Sequence, residues 1–571
     1  MDPVLPGARR DGSLPAPRVP QGIRHGLRAL LAVITLALVA ALGAPGAPPL
    51  DASPLRPHYT ITARVDLRSG TVGATAIVRY PNRTGRPLDR LVFQTEAARS
   101  PGFALAAQVG GQDVTPQVTD LTIDLPLPEP LEPEAAATVR LDFQVPVPAQ
   151  EGRYGFQDGI LSLGGWYPLL AVYRGPRLAG AEPEGWDRHP PPPFGDLTFS
   201  EVADYEVTLT VDGDPAIAHT GTLVTQEGAT RRYRAEGVRE FALALSTRYQ
   251  TFRRQVGAVE VVAFVTPERA AAGPIYLEYG ASMLVWLHET LGPYPWLSLH
   301  LAEMPSTNLM NAGQEYPGLV RIASWASYAE SAPEGYLAYL VRHEVAHQWF
   351  YGIVGNDQIR EPWVDEALAT WLALHHVRVT APQVFPAAWQ QRVTQFLPPG
   401  PSDPPGINRP IYDFPTDALY FNTVYRQGAL LWEDLYQRMG DAAFFGALQR
   451  YVQVFSGQVA TGTALLDLVQ AHTDQPVGLL VQRYATSARP RGEGRGWTPP
   501  WPPGDTWAGT VVLRSDPGIR LRVVVDDRPA LEGDADRLTF DTRTFPPGEY
   551  LITLVGVGPD GPVGEATRRV T

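Results

Sequence analysis

The sequence predicts a multidomain α+β protein, with an all-β N-terminal domain over residues 51–255, a mixed domain over 256–488 and a small β-sandwich of immunoglobulin-like character over 507–571. Three observations carry this division. From Tyr59 apolar residues recur at every second position, which fits strands with one face buried. Near Ala270 the repeat lengthens to that of a helix. Past a Pro/Gly/Arg-rich linker, residues 489–506, it returns to two.

Composition narrows the functional classes. The 57 prolines imply many loops and edge strands, and 571 residues are enough for several large cores. A net charge of -13, with every basic residue an arginine and none a lysine, leaves no basic stripe for nucleic acid, so no nucleic-acid partner is expected. The absence of cysteine excludes disulfides, thiolate metal ligands and a cysteine nucleophile.

In chain order, Arg24, His25 and Arg28 precede an apolar run, Ala29 to Leu42, and then the small residues Gly43 to Ala47. Residues 1–50 therefore read as a secretory signal. The run has 14 residues, fewer than the roughly 17–25 that span a bilayer comfortably, so cleavage is expected, with retention as an N-terminal anchor and membrane association through residues 27–44 as the alternative. Either outcome places the bulk of the protein outside the cytoplasm.

Tyr59 to Leu67 and Val72 to Tyr80 alternate around Ser69-Gly70 and form a hairpin. Strands are expected again at Leu121–Leu125, Thr138–Val145, Tyr205–Val211 and Glu240–Leu245, with Pro126 to Pro133 as a turn. Gly164-Gly165-Trp166-Tyr167-Pro168 reads either as aromatic core or as cleft lining. The second domain begins with a strand at Glu260–Val265, a helix from about Ala270 to Leu291 and a strand at Leu297–Glu303. Ala312, Gly313 and Gln314 beside Glu315 suit a sheet edge that a substrate backbone can approach, followed by a strand at Leu319–Ala323. Pro398 to Pro410 is a long loop, and helices are expected over Ala429–Met439, Ala442–Phe455 and Thr463–Ala471. In the last domain Ile519 to Val525 alternates, Pro546-Pro547-Gly548 turns the chain and Tyr550–Val557 is a strand.

The chemistry concentrates in Arg342 to Trp371. Ser331, Pro333 and Glu334 form a capping box that starts a helix carrying His343-Glu344-x-x-His347. Residues four apart share a helix face, so His343 and His347 can present two imidazoles to one zinc ion while Glu344 reaches a water on it as general base. A third ligand is needed. Glu366, separated from His347 by eighteen residues, lies on a second helix, Trp363–Val377, opened by Pro362 at its first position after a turn at Asn356 to Arg360.

Together, Leu291 to Trp296, Ala312 to Tyr316, His343 to Ala369 and Tyr420 to Ala429 resemble, in order and spacing, the aminopeptidase N family of zinc metallopeptidases, gluzincins that also include leukotriene hydrolase. The likeness covers about residues 55 to 490. It implies a saddle-like β domain followed by a thermolysin-like catalytic domain, one Zn2+ ion held by His343, His347 and Glu366, and peptide substrates. It further implies that Glu315 binds the substrate's free α-amino group and that Tyr425 stabilises the oxyanion. Two positions of the family's amine-binding motif depart, with Gln314 for Met and Tyr316 for Asn, and the second amine-binding residue of the family has no recognisable counterpart in the N-terminal domain. The helical C-terminal domain of larger members is replaced by the short β module, for which the sequence names no partner.

The leading expectation is an exported zinc metallopeptidase acting on peptide N-termini. A zinc endopeptidase, or a hydrolase of a non-peptide substrate on the same site, is the second reading. A non-enzymatic extracellular binding protein with a structural zinc is the third, and Glu344 argues against it, because a structural site has no use for a base.

Overall fold

The computed structural model describes residues 56–475, less 180–182, 197–198, 309–310, 328–334 and 397–405, together with parts of 477–484 and of 507–570. The apolar run Ala29–Leu42, the capping box Ser331/Glu334, the linker 489–506 and the turn Pro546-Pro547-Gly548 lie outside the described residues. Among the described residues no helix is long and apolar enough to cross a membrane.

The N-terminal part is built on an eight-stranded sheet. Its centre is the hairpin β1 (His58–Asp66) and β2 (Thr71–Pro81), continued by β3 (Ala136–Pro146) beside β2 and by β4 (Ala203–Val211), which pairs in parallel with β1. Tyr59, Ile61, Ala63 and Val65 all point to one buried face, as their alternation requires. Pro126 does not turn the chain: the strand there runs Thr122–Leu131, bent by a register shift against Leu88–Gln94. Trp166 and Tyr167 resolve as core. Trp166 Nε1 donates to the Phe241 carbonyl at 3.0 Å, and Tyr167 stacks edge-on to Tyr59 and Tyr205.

The second part begins slightly before the expected division at residue 256. Strand β5 (Gln250–Val256) pairs with β6 (Val259–Val265) and belongs to a five-stranded sheet whose order continues through β7 (Ser298–Met304), β9 (Leu319–Ala323) and the edge strand β8 (Gly313–Tyr316). β8 runs antiparallel to β9 at one margin of the sheet, as β5 does to β6 at the other, and a sheet edge is where small residues beside an acid were expected. Helix α1 (Ala272–Leu291) ends at Gly292, whose φ of 120° takes a backbone shape that L residues avoid. Next come α2 (Tyr336–Ala346), capped by Gly335, and α3 (Trp363–Thr380). Pro362 stands at the N-cap of α3, one position earlier than expected. The large indoles Trp349, Trp363, Trp371 and Trp432 fill the core between these helices.

Helix α4 (Phe385–Arg392) and the short α5 (Asp417–Phe421) precede α6 (Gly428–Met439), α7 (Asp441–Phe455) and α8 (Gly462–Ala471). Between α5 and α6 the chain makes a π-helical turn, Asn422–Gln427, which the sequence reading did not anticipate. Beyond 507, Thr510–Arg514 pairs with Arg537–Asp541, and a four-stranded sheet contains Arg520–Val525 and Tyr550–Gly558. Trp507, Leu513, Val523, Phe540 and Leu554 form their common core.

Candidate metal centre and cleft

His343 lies near the end of α2 and His347 one residue past it, still with helical backbone angles, so the four-residue spacing brings both rings to one face. Helix α3 packs on α2 and supplies Glu366 from its first turn. His343 Nε2 and His347 Nε2 are 3.2 Å apart, and each is 3.3 Å from Glu366 Oε2. Donors about 2.0–2.1 Å from a tetrahedral ion stand about 3.3 Å from one another, so this triangle fits zinc. Glu366 Oε2 is buried and makes no hydrogen bond among the described residues, as a ligand atom reserved for a cation would be. His347 Nδ1 faces the Phe350 carbonyl at 3.2 Å and Thr370 Oγ1 stands 3.5 Å from His343 Nδ1. Both contacts turn the Nε2 atoms to the metal side. Burial opposes ionisation of Glu366, but the facing His347 and His343 outweigh it and hold the carboxyl below its ordinary range.

Glu344 faces the same cavity, and burial pushes its carboxyl up to about 8. A side chain at 313 would collide with it, since a Cβ there would lie 2.0 Å from Glu344 Oε1. Gly313 thus makes room for the carboxylate. Tyr425 sits in the π-helical turn and its hydroxyl donates to Glu366 Oε1 at 2.5 Å. Gly428, just after that turn, lets α6 approach α3, because a Cβ there would meet Ala367 at 2.5 Å.

Strand alternation separates the residues of β8. Ala312, Gly313 and Glu315 border a cavity of about 430 Å³ together with the three metal-ligand candidates. Gln314 does not. Its side chain turns to the other face of the strand, where Tyr316 Oη donates to Gln314 Oε1 at 3.2 Å, so its expected place in substrate binding is corrected. Gly164 serves that face, since a Cβ there would overlap the Tyr316 hydroxyl.

The structure brings in residues that the sequence reading missed. Asp196 arrives from the N-terminal part on a loop turned by Gly195 (φ 73°), and Asp196, Glu315 and Glu366 present carboxylate oxygens within 4.8 Å of one another. Arg153 Nη2 donates to Asp196 at 3.2 Å. Gln358 Nε2 donates to Asp365 at 2.9 Å and to Asp196 at 3.2 Å, and stands 3.5 Å from Glu315. Asp365 also accepts from Asn356 and from the Glu366 amide, which steadies the start of α3. Burial, reinforced by Asp196, raises the Glu315 carboxyl well above its ordinary range. The only signal for Asp196 in the sequence was a Pro-rich run ending Phe194-Gly195-Asp196, which by itself reads as a loop.

Residues 276–484 match the peptidase family M1 domain. The chain is similar to Aminopeptidase M1-A of Oryza sativa subsp. japonica, 24% identical over 229 residues, which are 38% of this chain and 25% of that protein. It is also similar to the mitochondrial Aminopeptidase 2 of Saccharomyces cerevisiae, 29% identical over 125 residues, 21% of this chain and 13% of that one. The chain thus spans about a quarter or less of these curated relatives. In fold it resembles an M1 zinc metallopeptidase from Deinococcus radiodurans, at a TM-score of 0.56 and 22% identity over 75% of this chain and 93% of that one. A mutant of that metallopeptidase bound to a Tyr-Ser-Ala substrate matches at a TM-score of 0.52 and 21% identity, over 76% of this chain and 94% of that one.

Proposed function

We propose that this chain, whose residues 276–484 form a peptidase family M1 domain, is a zinc-dependent aminopeptidase that removes residues from free peptide N-termini. The observation that carries this reading is the pair Asp196 and Glu315, whose oxygens lie within 4.8 Å of Glu366. In a peptide the α-nitrogen is two bonds, about 2.5 Å, from the carbonyl carbon of its own residue. An ammonium held by these two carboxylates therefore sets the first carbonyl, and no later one, against the metal centre.

His343, His347 and Glu366 are the residues that would hold zinc, which when bound supplies a Lewis acid that polarises the carbonyl and lowers the pKa of water toward about 7. Glu344 takes the proton from the attacking water and passes it to the leaving amine. Tyr425 donates its hydroxyl hydrogen to the oxyanion as charge develops there. Gln358 holds Asp196 and Glu315 in register with the metal ligands through Asp365.

The test is hydrolysis of one tripeptide by zinc-loaded protein, first with a free and then with an acetylated N-terminus, with a chelator control. Cleavage of the free peptide alone, stopped by chelation, is expected. Equal cleavage of both would favour the endopeptidase reading of the same centre. We also read residues 1–50 as an export signal, cleaved or kept as an N-terminal anchor, and the C-terminal sheets as an immunoglobulin-like sandwich. A mature N-terminus near Ala47, or an uncleaved chain anchored outside the cytoplasm, is the expected result, and an intact cytoplasmic chain the opposing one.

A further inference from the structure

The charged lining of the cavity includes one group that meets the metal-ligand candidates at Glu366 and another that meets them at His343. At the side of the N-terminal part stand Asp196 and Glu315, with Arg153 bonded to Asp196. Tyr336, Tyr339, Arg392 and Arg426 line the same cavity, and this group meets the metal-ligand candidates at His343. The Arg392 guanidinium lies 4.8 Å from the Tyr336 ring centre and 5.7 Å from that of Tyr339, and the Tyr339 ring is 5.9 Å from the His343 ring. Arg426 directly follows Tyr425 in the π-helical turn and is within electrostatic reach of Arg392 and both tyrosines. Glu344, Glu366 and Asp417 complete the charged lining.

We infer that this cleft is selective for short peptides with a free C-terminal carboxylate, received by Arg392 and Arg426 while Asp196 and Glu315 hold the ammonium. The inference rests on the aminopeptidase reading and names its substrate class. Geometry sets the length. The basic end is one tyrosine ring beyond His343, and an extended chain advances about 3.3–3.6 Å per residue, so one or two residues past the scissile bond bring a terminal carboxylate there. The volume of about 430 Å³ is that of a small-molecule site and accommodates a short peptide. Stacking of Arg392 on the tyrosine rings orients its planar donors before substrate arrives, which reduces the ordering cost of a two-point contact with a carboxylate.

The experiment compares a tripeptide as free acid and as C-terminal amide, with an aminoacyl p-nitroanilide to measure the amount of working enzyme in each preparation. The full chain is used, as wild type, Arg392→Gln, Arg426→Gln and Arg426→Glu. Wild type is expected to prefer the acid by roughly tenfold or more in kcat/KM. Each glutamine variant is expected to bring the ratio toward one, and Arg426→Glu to favour the amide. A wild-type ratio near one, or an acid preference undiminished in all three variants, overturns the inference. If the free-N-terminus acid and amide are cut equally and the acetylated peptide is not, the aminopeptidase reading stands and this one falls. If the acetylated peptide is cut as well, the aminopeptidase reading falls first.

Discussion

Replacing Tyr425 by Phe tests the chemistry at a single atom. The ring is held by Phe421 at 4.5 Å, His343 at 5.7 Å and Tyr420 at 5.8 Å between ring centres, and Phe keeps every one of those contacts. What is lost is one hydroxyl, which donates to Glu366 Oε1 at 2.5 Å and so lies one carboxylate away from the metal position. As an oxyanion donor it should contribute about 2.7–4 kcal/mol to the transition state, a fall of roughly 10² to 10³ in kcat with KM changed little. A rival explanation is built into the same contact, since a hydrogen bond to a metal ligand also steadies the metal, and its loss typically costs about 10- to 100-fold in affinity. The two separate by titration. We expect Tyr425→Phe, assayed on an aminoacyl p-nitroanilide across a zinc series with metal content measured in parallel, to keep its low kcat at saturating zinc. Recovery to within about threefold of wild type under those conditions would refute the oxyanion role and leave Tyr425 as a support for Glu366.

Glu344→Gln should lose hydrolysis by roughly 10² to 10⁴ while metal content stays at the wild-type level, because His343, His347 and Glu366 are untouched; unchanged turnover would sink the general-base assignment. Asp196→Asn should lower kcat/KM on free N-termini by about 10- to 100-fold and narrow the gap between free and acetylated peptide, and an unaltered gap would remove Asp196 from the amine site. Glu240 is far from the metal ligands in sequence and is buried, which pushes its carboxyl up to about 7, with the Tyr351 hydroxyl donating to it at 2.5 Å. A folded pKa above the unfolded value of about 4.3 means that the stabilising contribution is complete below that value and is lost as pH rises through about 7. Glu240→Gln cannot ionise, so its stability should fall less between pH 5 and 8, by up to about 3 kcal/mol at the upper end; a denaturation series with the wild-type pH slope would count against it.

Local physics made most of the fold legible. Tyr59 to Val65 was readable because a half-buried strand writes its burial into every second residue, and α1 because its apolar spacing ends at a glycine that only a helix terminus requires. The errors fall where a neighbour overrode the local signal. Pro126 and Pro128 looked like a turn, yet they sit within a strand whose register shift accommodates missing donors. The strand Gln250–Val256 alternates poorly because it is mostly exposed, so its membership in the second sheet followed from pairing with Val259–Val265 and not from its own pattern.

The candidate metal centre and the proposed amine site differ in the same way. His343 and His347 share a face by helix spacing and Glu366 comes from the start of the next helix, so a short span of chain suggested this trio, whose donor atoms lie within 4.8 Å of one another. Asp196 is separated from Glu315 by more than a hundred residues and is positioned by contacts that carry no period. Gly195 turns its loop, Arg153 bonds it, and Gln358 ties it to the start of α3. Gly195 cannot be replaced without strain, for a Cβ there would stand 2.7 Å from Ile411. The same logic explains why Tyr425 was found only by likeness. A π-helical turn adds one residue per turn to the helix, which rotates Tyr425 and Arg426 away from the face that regular spacing would give them. Gly428 then permits the close approach of α6 to Ala367 that sets the hydroxyl on Glu366. On the proposed reading, the metal-ligand candidates are placed by regular helix, whereas Asp196 and Tyr425 are placed by irregular backbone and glycine.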